Sequence, residues 1–164
     1  AFIKNDAYGI PPITALMHGG EQENGFRAGT LAVHNIVGFG KAAEIALRDL
    51  ETNEQRIVKL DQMLIVGLKE IPSISLTNQP DKRLPGIVSI VVEKKDFNNE
   101  RFIKHISDRL ALSTGSACSI GEPSYVITAL GLEDKVSKVL RISLNKYTTE
   151  EEIDQLLQLL REEL

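Results

Sequence analysis

Tryptophan is absent from these 164 residues, aromatic residues make up only 5%, and there is a single cysteine, Cys118. One thiol cannot close an internal disulfide and offers at most one sulfur to a metal site. That usage fits a reducing, cytoplasmic location. No apolar stretch comes near the roughly 20 residues needed to cross a bilayer, and the N-terminus lacks a basic start followed by an apolar core, so no membrane partner is expected. Positive charge is not in excess either. Nineteen Lys and Arg stand against 23 Asp and Glu, a formal net charge of -4 with no basic cluster, which argues against direct contact with nucleic acid. The three histidines are scattered. His18 and His34 read as hydrogen-bonded structural residues and His105 as a helix-surface residue, and no metal set can be assembled from them.

What is present is an ordinary globular composition, 42% hydrophobic, long enough for one domain or for one domain plus a piece of another. The chain opens on Ala-Phe-Ile-Lys-Asn-Asp, which reads as the end of a strand entering a turn and as the continuation of something longer. Ile13 to Met17 reads as a short extended segment. From Leu31 the apolar residues fall at helical spacing, with Thr30 as N-cap, and the stripe resumes after Glu51 to Arg56 as a second helix or a bent continuation to about Glu70. Ile74 and Leu76 alternate with hydroxyls as a half-buried strand, and Gly86 to Val92 reads as a central strand. The loop between them holds Asn78, Pro80, Asp81 and Pro85.

Farther along, Asn98 or Asn99 caps a helix bearing Phe102, Ile103, Ile106 and Leu110, and Pro123 opens a helix stopped by Gly131. Val139 to Leu144 forms another strand, and Thr148 or Thr149 opens a C-terminal helix. Helices alternating with strands over a small sheet predict an α/β or α+β domain.

Three places carry candidate chemistry. Cys118 sits in Ser-Thr-Gly-Ser-Ala-Cys-Ser-Ile-Gly-Glu-Pro, among small and turn-forming residues rather than in the apolar run that suits a packing cysteine. From that run alone it is equally a nucleophile or a passenger. Arg141 lies inside Val-Leu-Arg-Ile-Ser-Leu, where a guanidinium must face solvent or meet an anion, and the pattern alone favours solvent. Gly19 to Thr30 is a glycine-rich loop ahead of a helix, a weak anion-binding pattern without a P-loop lysine.

In order along the chain, Gly-Gly-Glu-Gln-Glu-Asn-Gly-Phe-Arg-Ala-Gly-Thr (Gly19 to Thr30), Ile-Val-Gly-Phe-Gly-Lys-Ala (Ile36 to Ala42), Ser-Thr-Gly-Ser-Ala-Cys (Ser113 to Cys118), Glu-Pro-Ser-Tyr-Val (Glu122 to Val126) and Arg-Ile-Ser-Leu (Arg141 to Leu144) resemble the cysteine desulfurases of the NifS/IscS type. The resemblance covers almost the whole chain. It implies the C-terminal small domain of a fold-type I pyridoxal-phosphate enzyme, a mostly antiparallel sheet packed against helices. Residues 1–30 would be the tail end of the large cofactor domain with its phosphate-side loop, and 31–164 the small domain with the cysteine loop.

By the same resemblance the enzyme is a homodimer that takes sulfur from L-cysteine, leaving L-alanine and a persulfide on Cys118. Sulfur acceptors would be an iron-sulfur scaffold or a tRNA-thiolation enzyme. Arg141 would grip the substrate carboxylate, reversing the pattern-only preference. Thr30 would bind the phosphate of pyridoxal 5'-phosphate across the dimer interface.

Some family features do not map onto this chain. The family's Ser-x-His-Lys with its Schiff-base lysine, its aspartate facing the pyridine nitrogen and its stacking histidine find no match here, and Lys4 reads as a surface residue. The stretch from Cys118 to Glu122 is shorter than in many relatives, and Glu21 and Asn24 replace a glycine and an arginine. The fragment alone is expected to be inactive. Two other functions fit the sequence: a non-catalytic dimerisation or sulfur-carrier module, and a selenocysteine lyase.

Overall fold

The computed structural model describes residues 4, 6–9, 13–77, 82–114 and 124–164. Cys118, Pro123, residues 1–3 of the strand end expected at 1–4, and Asn78, Pro80 and Asp81 of the inter-strand loop lie outside the described residues. By contacts the chain forms two compact units, Ala1–Arg48 and Asp49–Leu164.

The first unit is mostly loop. Residues 13–17 form no strand, and the polar stretch after them contains a 3-10 turn at Gln22–Gly25 before helix α1 (Val33–Lys69) begins. Thr30 is therefore not the N-cap. The first α-helical bond of α1 runs from Ile36 N–H to the Ala32 carbonyl, two residues later than a Thr30 cap predicts, after a turn bond from Val33 N–H to the Leu31 carbonyl. Glu51 to Arg56 does not break the helix either: straight-chain polar residues propagate a helix well, and here they continue it on an exposed face. The apolar residues of the opening turns, Val33 (62% exposed), Ile36, Val37 and Phe39 (78%), are uncovered.

The second unit holds the main core. The later turns of α1 bury Leu60, Leu64 and Leu68 at i, i+4, i+8 spacing, each contributing about 1.5–3 kcal/mol on burial. The helix stops at Lys69, three residues before Pro72. Strands β1 (Ile74–Leu76), β2 (Ile87–Val92) and β3 (Val139–Ser143) make an antiparallel sheet in the order β1-β2-β3, so the β-branched run is the central strand, as its composition predicts.

Alternation sends Val88, Ile90, Val92, Leu140 and Ile142 to one face. There they pack with the α1 leucines, with Phe102 and Ile106 at helix α2 (Asn99–His105), and with Ile153, Leu156 and Leu160 of helix α4 (Glu150–Glu163). The opposite face carries a small second cluster, Val91, Val139 and Ile127, the last from helix α3 (Tyr125–Ala129).

Local capping fixes the ends of these elements. The Asn98 carboxamide oxygen accepts from Arg101 N–H, which makes Asn98 the cap of α2. Thr149 and Glu152 form a reciprocal capping box on α4. Helix α3 closes in a Schellman motif, with Gly131 N–H bonded to the Thr128 carbonyl, Leu132 N–H to the Ile127 carbonyl, and Gly131 at φ +69°.

Two buried polar side chains hold the sheet's pairing. The Asp61 carboxylate on α1 accepts two bonds from Arg83 and one of 2.7 Å from Gly86 N–H, and the Gly86 carbonyl accepts from Leu144 N–H at 2.7 Å. At the other end, the Asn99 amide donates to the carbonyls of Val136 (2.9 Å) and Val139 (2.8 Å), fixing the entry to β3. Among the described residues no helix is long and apolar enough to cross a membrane.

Magnitudes separate the ion pairs. Arg83–Asp61 is buried, with side chains 6% and 9% exposed, whereas Lys59–Glu150 is open to water. Asp61→Ala is expected to destabilise by about 3–5 kcal/mol because it leaves an uncompensated buried cation, and Lys59→Ala by less than about 1 kcal/mol; urea unfolding checks the contrast, and equal effects would contradict it.

The Glu93 carboxylate is held below its ordinary value of 4.5, chiefly by the Lys135 hydrogen bond and then by Ser75, while Glu93 holds the Lys135 ammonium above 10.5. Glu93's contribution is thus present above the ordinary carboxylate value and lost as pH falls through the lowered one. Lys135's is present below 10.5 and lost as pH rises through the raised value. Glu93→Gln should narrow the gap in unfolding midpoint between about pH 7 and about pH 3. The pair is exposed, so the change will be small, and a widened gap would reverse the sign argued here.

Candidate functional site

Arg141 occupies the middle of β3, and its neighbours in sequence, Leu140 and Ile142, point into the main core. Period-two alternation therefore places Arg141 on the opposite face, in a row with Val139 and Ser143. It is half-buried rather than solvent-facing, which corrects the pattern-only expectation. Val139 on the same face belongs to the small apolar cluster, and residue 113 is bridged to Arg141 at the open edge of β3.

On one side Arg141 pairs with Ser89 of β2. On the other it forms an isolated antiparallel bridge with Ser113, in which Ser113 N–H donates to the Arg141 carbonyl (3.2 Å) and Arg141 N–H to the Ser113 carbonyl (2.6 Å). The guanidinium Nη2 reaches the Ser113 hydroxyl at 3.4 Å, and Nε is buried with no hydrogen-bond partner among the described residues. A buried guanidinium N–H left bare is unfavourable in a resting fold, and it is what a planar fork presents to an incoming carboxylate.

Ser113 is the last paired residue ahead of the segment that holds Cys118, so the structure brings the base of that segment to Arg141. Cys118 itself lies outside the described residues. Sequence reasoning did not single out Ser113, because an isolated bridge has no periodic signal. The only hint was a hydroxyl at the edge of the Ser-Thr-Gly-Ser run.

Thr30 belongs to the first unit, on the exposed stretch leading into α1. The loop ahead of it is braced by side chains that the sequence pattern did not assign. Arg27 Nη1 donates to the carbonyls of Ala28 (3.2 Å), Gly29 (3.1 Å) and Thr30 (3.3 Å), while the Gln22 amide oxygen accepts from Gly29 N–H at 3.1 Å. Gly29 sits at φ +96°, which a side chain would resist. Glu23 and Asn24 both adopt φ 55°, and Asn24 tolerates that conformation better than the arginine it replaces. The loop thus holds the Thr30 hydroxyl on an exposed turn just before a helix N-terminus, where negative charge is favoured.

Elsewhere the histidines are surface residues. His18 and His34 are exposed, contrary to the structural role expected of them, and His105 is exposed on α2 and lies 3.4 Å from Glu163. Among the described residues no group of His, Cys, Asp and Glu could hold a metal ion. A cavity of about 620 Å³ lies between α4, the end of β3 and residues 109–112, but Arg141 does not line it, since alternation turns that side chain to the other face.

Three-stranded antiparallel pairing with helices on the core face is the α+β architecture of the C-terminal domain of fold-type I pyridoxal-phosphate enzymes. A solved NifS-like protein overlays 95% of this chain, and 40% of its own, with a TM-score of 0.78 at 30% identity. A NifS-like protein from Rickettsia africae overlays 92% and 39% with a TM-score of 0.75 at 26% identity. The model of the aminotransferase class-V family matches residues 15–156, and the chain belongs to that family.

Among curated relatives, the cysteine desulfurase IscS of Aeromonas hydrophila is 41% identical over 155 residues, covering 93% of this chain and 38% of the relative. That of Shewanella loihica is 43% identical over 145 residues, covering 87% and 35%. The chain thus spans well under half the length of the curated relatives it matches.

Replacing Arg141 by methionine removes the bare Nε while keeping an unbranched side chain. Arg141→Met is expected to leave stability unchanged or raise it by about 1 kcal/mol. A loss above about 2 kcal/mol in denaturant unfolding would mean that the guanidinium serves the fold.

Proposed function

We propose that this chain is the C-terminal part of a cysteine desulfurase, with Cys118 as the sulfur-accepting nucleophile, Arg141 as the carboxylate-binding residue and Thr30 as a ligand of the cofactor phosphate. The observation that carries the proposal is the half-buried Arg141, with a bare Nε, paired through its backbone to the residue from which the Cys118 segment departs. Cys118 lies five positions after Ser113 in sequence, a tether that spans at most about 18 Å at 3.3–3.6 Å per residue.

The braced loop ending at Thr30 fits a phosphate: an exposed hydroxyl, a left-handed glycine and a helix start offer donors without crowding. One solved relative at 21% identity, a C-DES variant, carries glycine covalently linked to its pyridoxal-phosphate cofactor. When bound, that cofactor supplies an electron sink for the substrate carbon skeleton. Its lysine would come from the rest of the enzyme; this chain covers 38% of the length of one such relative.

The residues of this chain then divide the work. Arg141 holds the L-cysteine carboxylate through parallel N–H bonds and so orients the substrate sulfur. The Cys118 thiolate attacks that sulfur. The new S–S bond forms as the carbon–sulfur bond breaks, and the released electron pair with a proton completes the methyl group of L-alanine, leaving a persulfide on Cys118. The uncovered apolar residues at the start of α1 support a homodimer or a covering large domain. Iron-sulfur scaffolds and tRNA-thiolation enzymes are the acceptors that fit a persulfide of this kind, in the cytoplasm.

Joined to the remainder of its enzyme, the chain with Cys118→Ala is expected to lose at least about a hundred-fold in alanine formation from L-cysteine, as befits removal of a nucleophile. The isolated chain with pyridoxal phosphate and L-cysteine should form neither alanine nor sulfide. Turnover by either one would overturn the assignment.

A further inference from the structure

Two serines flank Arg141, and they are not equivalent. Within an antiparallel strand the N–H and C=O of one residue point to the same side, and those of Arg141 both go to Ser113. The bridge to Ser113 is therefore the hydrogen-bonded kind, and the pair with Ser89 the non-hydrogen-bonded kind. Consistent with this, the Ser89 carbonyl is turned toward β1 and accepts from Thr77 N–H (3.1 Å) and from the Thr77 hydroxyl (3.2 Å). Ser89 thus packs beside Arg141 as a small neighbour, while Ser113 is locked to its backbone and touches its guanidinium at 3.4 Å.

Directly opposed residues in an antiparallel pair project on the same face, so the Ser113 hydroxyl stands where it limits the swing of the guanidinium. With Nη2 engaged there and Nε bare, the fork is oriented before any ligand arrives. We propose that Ser113 is a positioning residue: its hydroxyl and its two-bond backbone bridge pre-orient the Arg141 guanidinium for a substrate carboxylate and tie that orientation to the base of the Cys118 segment. The proposal rests on Arg141 being the carboxylate ligand. It adds a specificity determinant, since pre-orientation favours ligands that carry a carboxylate over amines that lack one.

The test uses the complete holoenzyme. Ser113→Ala keeps the backbone bridge and removes the hydroxyl, Ser113→Thr keeps both, and Arg141→Lys removes the fork. Each is measured for KM and kcat with L-cysteine and for inhibition by cysteamine, which presents the thiol and amine without the carboxylate. Ser113→Ala should raise KM for L-cysteine roughly 3- to 10-fold, the worth of one modest hydrogen bond, with kcat and cysteamine inhibition within two-fold of wild type. Ser113→Thr should recover the wild-type KM.

A merely structural serine would weaken L-cysteine and cysteamine alike, and that result overturns the proposal, as does an unchanged KM in Ser113→Ala. If Arg141→Lys raises KM while Ser113→Ala does not, the positioning role fails and the carboxylate assignment stands. If Arg141→Lys leaves KM unchanged, the carboxylate assignment fails and the positioning role falls with it.

Discussion

The register of β3 against β2 is the constraint on which the remaining structure depends. Pairing Leu140 with Ile90 and Ile142 with Val88 buries four apolar side chains in the main core and leaves Arg141 on the other face beside Ser89. A one-residue slip would send the guanidinium into that core and bring Leu140 out of it. Two buried polar side chains on separate helices hold the register. Asp61 fixes the Gly86 turn where β2 begins, and Asn99 fixes Val139 where β3 begins. Burying such groups is unfavourable unless they are satisfied, and both are. They contribute specificity of pairing more than apolar area.

That register converts a fold into a site. Arg141 is half-buried on the face that also carries the small cluster of Val91, Val139 and Ile127, where a guanidinium is shielded enough to value an anion. The bridge to Ser113 joins Arg141 to the residue just ahead of the segment that holds Cys118, so the two positions proposed above for carboxylate binding and sulfur acceptance are linked through one backbone pair. Thr30 stands in the other compact unit, in a loop stiffened by Arg27 and Gln22 instead of by regular structure.

Much of the small domain was legible in the sequence because its signals are local. The β-branched run expected at 86–92 is β2, the stop at Gly131 is present, and of the paired cap candidates the structure selects Asn98 over Asn99 and Thr149 over Thr148. Helix α1 shows where propensity is a weak guide: its first α-helical bond starts two residues beyond the Thr30 cap that the pattern predicts, and of the two readings of the polar stretch, a second helix or a continuation, the structure shows continuation. Arg141 shows the limit of alternation: the pattern identifies its face, but its partial burial and its bridge to residue 113, distant in sequence, do not follow from the pattern. Asp61 and Asn99 were illegible as buried anchors, since their partners lie 22 to 40 residues away.

The most direct measurement is the placement of sulfur itself. The complete enzyme would be treated with L-cysteine, quenched, digested without reductant and mapped by peptide mass. A gain of one sulfur atom on the Cys118 peptide, removed by thiol reductant and absent when Arg141 is replaced by methionine, is the expected result. Alanine released while the Cys118 peptide keeps its unmodified mass, with the extra sulfur on another peptide or on none, would contradict it.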